Sequence, residues 1–275
     1  MRNLFDTHNH CEFSFDGKRT TAQRSAQSAY EKGIGGIVFT DHYDLWAPEV
    51  PGENMPWPQD FDIIAQQAEL ERLQGMFNNG FKVLKGIEIG MNEHSRDNIR
   101  KTVNEYQFDQ VIASVHYLKD SDPYYKSFFE GKDWKEAYGL YLETIYNEAT
   151  LLEDFDIIGH FDYVARYAPY PQNSITYKDF SDILDTLFRY MIQNGKALEI
   201  NTKQASGSNS RSTILDKDLL VRYREMGGEI ISLGSDSHIP EGVADRFTEY
   251  VAFLKSLGFR WGAHYEKRQL VQLPL

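Results

Sequence analysis

Seven short runs of β-forming residues alternate with helical runs along the chain, and this alternation restricts the fold to parallel β/α units. The β-like runs are residues 3–8 (NLFDTH), 35–40 (GGIVFT), 82–89 (KVLKGIEI), 109–115 (DQVIASV), 156–160 (DIIGH), 196–201 (KALEIN) and 229–235 (EIISLGS). Helices are predicted at roughly 21–32, 60–77, 95–105, 134–152, 178–193, 216–226 and 241–256. Gly33, Gly195, Gly227 and Gly258 stand just past four of them, where a left-handed cap suits glycine. Seven strands make a barrel-like sheet. No repeat, low-complexity tract or linker divides the 275 residues, so one α/β domain is expected. Two longer connections rich in turn formers, 43–59 and 202–213, are expected to cover an active site.

The strand ends are polar. His8 and His10 end the first run and, two residues apart, share one strand face. Asp41 and His42 end the second, Glu88 the third, His116 the fourth and His160 the fifth. The sixth ends in Glu199 and Asn201, and the seventh runs into Asp236, Ser237 and His238. In a closed β/α barrel these ends converge on one mouth, where such folds build their chemistry. Six of the eight histidines lie there, joined by Glu88, Asp236 and, from the loop after the first strand, Asp16. Imidazoles mixed with carboxylates suit Zn, Mn or Fe rather than Ca or Mg. Nine such ligands exceed the needs of one ion, so a cluster bridged by a carboxylate such as Glu88 is expected.

Composition excludes other classes. A net charge of −12 and a pI near 5.1 argue against a general nucleic-acid surface. Cys11 is the single cysteine, so no intramolecular disulfide can form. No leader pattern or long apolar run suggests export or a membrane, and a cytoplasmic setting is expected. Nothing in the sequence sets an oligomeric state.

Taken in order, these motifs resemble the PHP (polymerase and histidinol phosphatase) metal-dependent phosphoesterases. The family's D-x-H-x-H reads here as Asp6, His8 and His10, followed by Asp16; its T-D-H reads as Thr40, Asp41 and His42. Glu88 in "GIEIG", His116 in "SVHYL", His160 in "IIGHFD", and Asp236 and His238 in "GSDSH" complete the series. The resemblance implies a distorted (βα)7 TIM-like barrel with three metals. It puts His8, His10, Glu88 and Asp236 on the first, Glu88, His116 and His160 on the second, and Asp16, His42 and His238 on the third. Within the family, "FSFDG", "TDHYD", "LEINT" and "GSDSH" look most like the free-standing phosphatases that release L-histidinol from its phosphate in histidine biosynthesis. The implied reaction is attack by a metal-bridging hydroxide on a small phosphate monoester. Alternatives are a related phosphoesterase of nucleotides, sugar phosphates or phosphodiesters, and a metal-binding module of a replication polymerase.

A phosphate dianion also calls for cations at the mouth. Arg166, six residues after His160, matches an arginine of the related phosphatases. The loop after "EINT" departs from their pattern, leaving Lys203 or Arg211 for a second grip, and Asn201 is grouped with them as a substrate contact. The acid that protonates the leaving alkoxide is a metal-bound water, Asp41 or Asp162. Asp6 is expected to accept from a ligand imidazole, Cys11 to be a small buried side chain, and His94 and His264 to be partly exposed. Trp46 and Trp57 are expected to close over a small aromatic substrate.

Overall fold

The computed structural model describes residues 1–46, 59–77, 79–119, 121–203 and 210–275. Among these the chain order is β1 (Phe5–Asn9), α1 (Ala22–Glu31), β2 (Gly36–Phe39), β3 (His42–Tyr43), α2 (Ile63–Gln74), β4 (Lys82–Gly90), α3 (Arg96–Glu105), β5 (Gln110–Ser114) and α4 (Trp134–Leu152). Then come β6 (Ile157–Ile158), α5 (Tyr163–Tyr167), α6 (Tyr177–Gln193), β7 (Ala197–Asn201), α7 (Lys217–Glu225), β8 (Ile231–Gly234), α8 (Phe247–Ser256), β9 (Trp261–Glu266) and β10 (Gln269–Pro274). All seven predicted strands are present within a few residues of their expected limits, and so are the predicted helices, the last one starting six residues late behind a 3-10 turn at Pro240–Gly242.

Local chemistry explains the helices. Asp133 caps α4 in a reciprocal box with Glu136, while Thr21 and Asp62 accept from the first turns of α1 and α2. Helix α1 buries Ala22, Ser25, Ala26 and Ala29, one face at three- and four-residue spacing, against the sheet. The strands are buried on both sides, as parallel strands under helices must be.

The parallel sheet runs β1-β2-β4-β5-β6-β7-β8, with β3 paired to the upper half of β4. The last strand returns to the first. Asp236 N–H donates to His8 O (2.8 Å), His10 N–H to Ser237 O (2.9 Å) and Thr7 Oγ1 to Leu233 O (2.9 Å), so a seven-strand barrel closes at the end where the ligand candidates lie. The opposite end is plugged by the β9–β10 hairpin, which the sequence reading left unassigned. Tyr265 packs with Ile112, Ile157 and Ala197, and its hydroxyl donates to Asp156 O (3.2 Å) and Gly195 O (3.3 Å). His264, expected to be partly exposed, is instead 2 % exposed and stacked on Phe5 at 3.6 Å. Its hydrophobic stacking partner lies on β1, which no local pattern announces. No helix among the described residues is long and apolar enough to cross a membrane.

Candidate metal centre

Register places the donors. Pairing of β3 with β4 sets His42 opposite Glu88, and the pairing of β4 with β5 carries His116 past the same point. Glu88, fully buried, is the hub. Its Oε2 lies 3.2 Å from His8 Nε2, 3.5 Å from His10 Nε2 and 2.9 Å from His42 Nδ1, and its Oε1 lies 2.9 Å from His160 Nε2 and 3.3 Å from His116 Nε2. Asp236 Oδ1 is 3.4 Å from His10 Nε2. Asp16 Oδ2 is 2.8 Å from His238 Nε2 and 3.5 Å from His42 Nε2. All nine expected ligands thus gather in one cluster. Three subsets have ligand atoms within 4.8 Å of one another: His8, His10 and Asp236; His42, Glu88 and His116; and His10, Asp16, His42 and His238.

Whether this donor set fits metal ions is tested by what surrounds the imidazoles. Glu199 Oε1 lies 2.6 Å from His8 Nδ1, and Asp44 grips His116 Nδ1 with both oxygens at 3.1 Å. Each carboxylate accepts from Nδ1–H, which favours the tautomer with an Nε2 lone pair turned inward. Those lone pairs converge on further imidazole nitrogens: His8 Nε2 is 3.1 Å from His10 Nε2, and His116 Nε2 is 3.4 Å from His160 Nε2. Glu88 Oε2 has no hydrogen-bond donor despite complete burial. The donor set fits divalent metals.

Electrostatics agree. Burial opposes charge on every group, yet the His8, His42 and His116 imidazoles hold Glu88 well below the usual carboxylate range. Burial disfavours a charged His8, but Glu88, Glu199 and Asp236 overcome this and raise its pKa well above the ordinary value; His116 is raised to about 10 by Asp44 and Glu88. His10 is lowered well below its ordinary value by burial and by His42 and His238. This nest of carboxylates demands positive charge, which divalent metals would supply.

The backbone makes room for these contacts. A Cβ at Gly234 would come within 2.3 Å of Glu199 Oε1, and one at Gly90 within 1.7 Å of Asp44 Oδ1. Neither Glu199 nor Asp44 was expected to orient an imidazole. Each carried a signal: Asp44 is two residues from His42, and Glu199 stands between the apolar Leu198 and Ile200.

A cavity of about 450 Å³ opens onto the cluster, lined in part by His42, His116, His160, Arg166, Lys203 and Asp236. Arg166, 6 % exposed, donates to Asp236 Oδ2 (3.2 Å), and Lys203 Nζ to Asp236 Oδ1 (2.8 Å). Asn201 reaches Asp236 Oδ2 at 3.4 Å and its own Oδ1 accepts from Lys203 N–H, but it does not line the cavity. Arg211 corrects the expectation of a phosphate grip. Its guanidinium turns away to donate to the carbonyls of Ala165 (2.9 Å), Tyr170 and Gln172 and to the Tyr138 hydroxyl, a set of acceptors that occupies it.

Neither carboxyl expected as the leaving-group acid lines the cavity. Asp41 is engaged by Cys11 N–H (2.7 Å), the Cys11 thiol (3.1 Å) and Gln66 Nε2 (2.7 Å), which also makes Cys11 the buried residue expected. Asp162 accepts from Thr213 Oγ1 and lies 3.6 Å from Arg166. Asp6 also departs from expectation. It accepts from Ser235 N–H (2.9 Å), Ser235 Oγ (2.6 Å) and Ala244 N–H (2.6 Å), and no imidazole nitrogen is among its partners. Trp46 packs on His94 with ring centroids 4.5 Å apart, away from the cavity; Trp57 lies outside the described residues.

A barrel with this histidine-and-carboxylate mouth defines a class, and the family comparison gives it a name: residues 6–203 match the PHP domain model, and the chain belongs to that family. The relatives it resembles narrow the class. The histidinol-phosphatase of Lactococcus lactis is 33% identical over 85% of this chain and 84% of its own. The "Probable histidinol-phosphatase" of Clostridium acetobutylicum is 31% identical over 96% and 98%. The crystal structure of the histidinol phosphate phosphatase from Lactococcus lactis, in complex with zinc, L-histidinol and phosphate, superimposes with a TM-score of 0.82 over 98% of this chain and 99% of that one, at 28% identity.

Proposed function

We propose that this protein is a metal-dependent phosphomonoesterase that hydrolyses L-histidinol phosphate to L-histidinol and phosphate. The observation that carries the reading is the nest of six imidazoles and three carboxylates around Glu88, with Arg166 and Lys203 on its rim. The full-length similarity to proteins named histidinol-phosphatase supports the substrate. Three ions are proposed, Zn, Mn or Fe: one held by His8, His10, Glu88 and Asp236, one by Glu88, His116 and His160, and one by Asp16, His42 and His238. When bound, such metals lower the pKa of a water and stabilise charge on phosphoryl oxygens.

The chain's own residues do the rest. Glu88, with one oxygen turned to each side of the cluster and Ser114 Oγ donating to Oε1 (2.6 Å), fixes the spacing of the centre. Glu199 and Asp44 hold the imidazoles in the tautomer that donates lone pairs inward. Arg166 and Lys203, both on Asp236, offer guanidinium and ammonium protons to the phosphoryl oxygens at the cavity wall. With Asp41 and Asp162 off the cavity, the leaving alkoxide takes its proton from water. All 275 residues are proposed to act as one domain, since the β9–β10 hairpin plugs the barrel, and a cytoplasmic setting accords with the free thiol of buried Cys11.

The test is phosphate release from L-histidinol phosphate beside nucleotide and sugar phosphates, with metal-replete and chelated protein. A preference for histidinol phosphate that chelation abolishes is expected. Equal turnover across the panel would overturn the substrate, and activity indifferent to chelation would overturn the metal chemistry.

A further inference from the structure

The cavity has two unlike sides, and the reaction as described uses only one. Arg166 and Lys203 gather on Asp236, where a phosphoryl group needs them. Asp122 lines the same cavity on the side of His116 and Asp44, whose charges it feels. It is 7 % exposed, yet among the described residues its carboxyl group accepts a single hydrogen bond, from the Tyr124 N–H to Oδ1 (2.7 Å), and no Lys, Arg or His forms an ion pair with it. Burial pushes this carboxyl up to about 7. A carboxylate that the fold desolvates without supplying a counter-ion is matched to a cation from outside.

The wall beside it has the same preference. Ring centroids step from His160 to Tyr163 (5.1 Å), Tyr163 to Tyr167 (5.0 Å), Tyr167 to Tyr124 (5.0 Å) and Tyr124 to Tyr125 (5.1 Å). Tyrosine faces carry negative potential and attract ammonium, guanidinium or imidazolium groups. A nucleotide would bring further negative charge to this side, and a sugar would bury the carboxylate against neutral hydroxyls.

We propose that Asp122 and the tyrosine wall form a subsite for a cationic group on the alcohol half of the substrate, selecting phosphate monoesters that carry an ammonium or imidazolium. This rests on the phosphatase reading above and adds the residues that set its specificity. Arg166 holds the anion, Asp122 the cation, and the ester between them lies at the cluster.

The experiment compares metal-replete wild type and Asp122→Asn on L-histidinol phosphate, O-phosphoethanolamine and neutral n-propyl phosphate. Wild type is expected to favour the two cationic esters. In Asp122→Asn the kcat/KM for those esters is expected to fall roughly 10- to 100-fold, the span of a charge-assisted hydrogen bond, mainly through KM, so that the cationic-to-neutral ratio collapses. An unchanged ratio overturns the subsite and leaves the phosphatase reading standing; no chelator-sensitive turnover of any ester by wild type overturns that reading itself. Tyr124→Leu provides a second reading should the Asn variant misfold. It is expected to lower the same ratio several-fold by removing a cation–π face, and a folded Tyr124→Leu with the wild-type ratio also overturns the proposal.

Discussion

Replacing Glu199 with glutamine isolates what orients the metal-facing imidazoles. Both carboxylate oxygens are occupied by donors: Oε1 by His8 Nδ1 at 2.6 Å and Oε2 by the backbone N–H of His160 at 2.5 Å. Glutamine has nearly the same shape but offers one acceptor and one donor. The His160 N–H cannot move, so the amide oxygen stays with it and the NH2 group faces His8 Nδ1. His8 can accept there only by shifting its proton to Nε2, the nitrogen 3.2 Å from Glu88 Oε2 and 3.1 Å from His10 Nε2. A proton in that place blocks the lone pair a metal requires. Loss of such an orienting partner lowers metal affinity about 10- to 100-fold, equivalent to about 1.4–2.7 kcal/mol. The assay is metal content per chain after dialysis against graded chelator, with thermal unfolding of the same samples. Glu199→Gln should lose metal at roughly one-tenth to one-hundredth of the chelator concentration that strips wild type, with its fold intact. Metal retention identical to wild type would refute the claim that Glu199 prepares His8 as a ligand.

Two further substitutions separate the arginines that the sequence placed together. Arg166→Ala removes a buried guanidinium from the cavity wall and should depress kcat/KM for the phosphate ester by about 2 kcal/mol, read by steady-state kinetics; wild-type kinetics would remove it from the phosphate site. Arg211→Ala strips partners from the carbonyls of Ala165, Tyr170 and Gln172, so denaturant unfolding should show a loss of about 1–3 kcal/mol while KM stays near wild type.

What the sequence revealed follows from which contacts are local. Strand ends, helix caps and the nine clustered donors were legible because alternation and spacing put them at one barrel mouth before any tertiary detail was known. The hairpin at the opposite end was not. Its turn residues Lys267 and Arg268 both adopt positive φ (50° and 63°), a conformation normally announced by Asn or Gly. Tertiary contacts hold them there instead: Asp109 accepts from both backbone N–H groups, and Arg268 Nε donates to Asp156 (2.6 Å). The role expected of Asp6, accepting from a ligand imidazole, falls to Glu199 and Asp44 for a similar reason. Asp6 and Glu199 are both buried carboxylates on strands, and only the closed barrel decides what lies opposite: Ser235, just past β8, for Asp6, and His8 of β1, reached across Gly234 of β8, for Glu199.

The place Asp6 does take shows why the fold and the centre cannot be separated. Asp236, grouped by geometry with His8 and His10, has φ of 51°, a left-handed conformation that disfavours most residues with a side chain by about 1–2 kcal/mol. Its neighbours hold it there. Asp6 grips Ser235 through N–H and hydroxyl, His8 O accepts from Asp236 N–H, and Ser237 O accepts from His10 N–H. These are also the bonds that bring β8 back to β1. The contacts that close the barrel therefore aim Asp236 at His10, so a change at Asp6 that loosens the seam must also move a donor of the cluster, although Asp6 itself touches no ligand nitrogen.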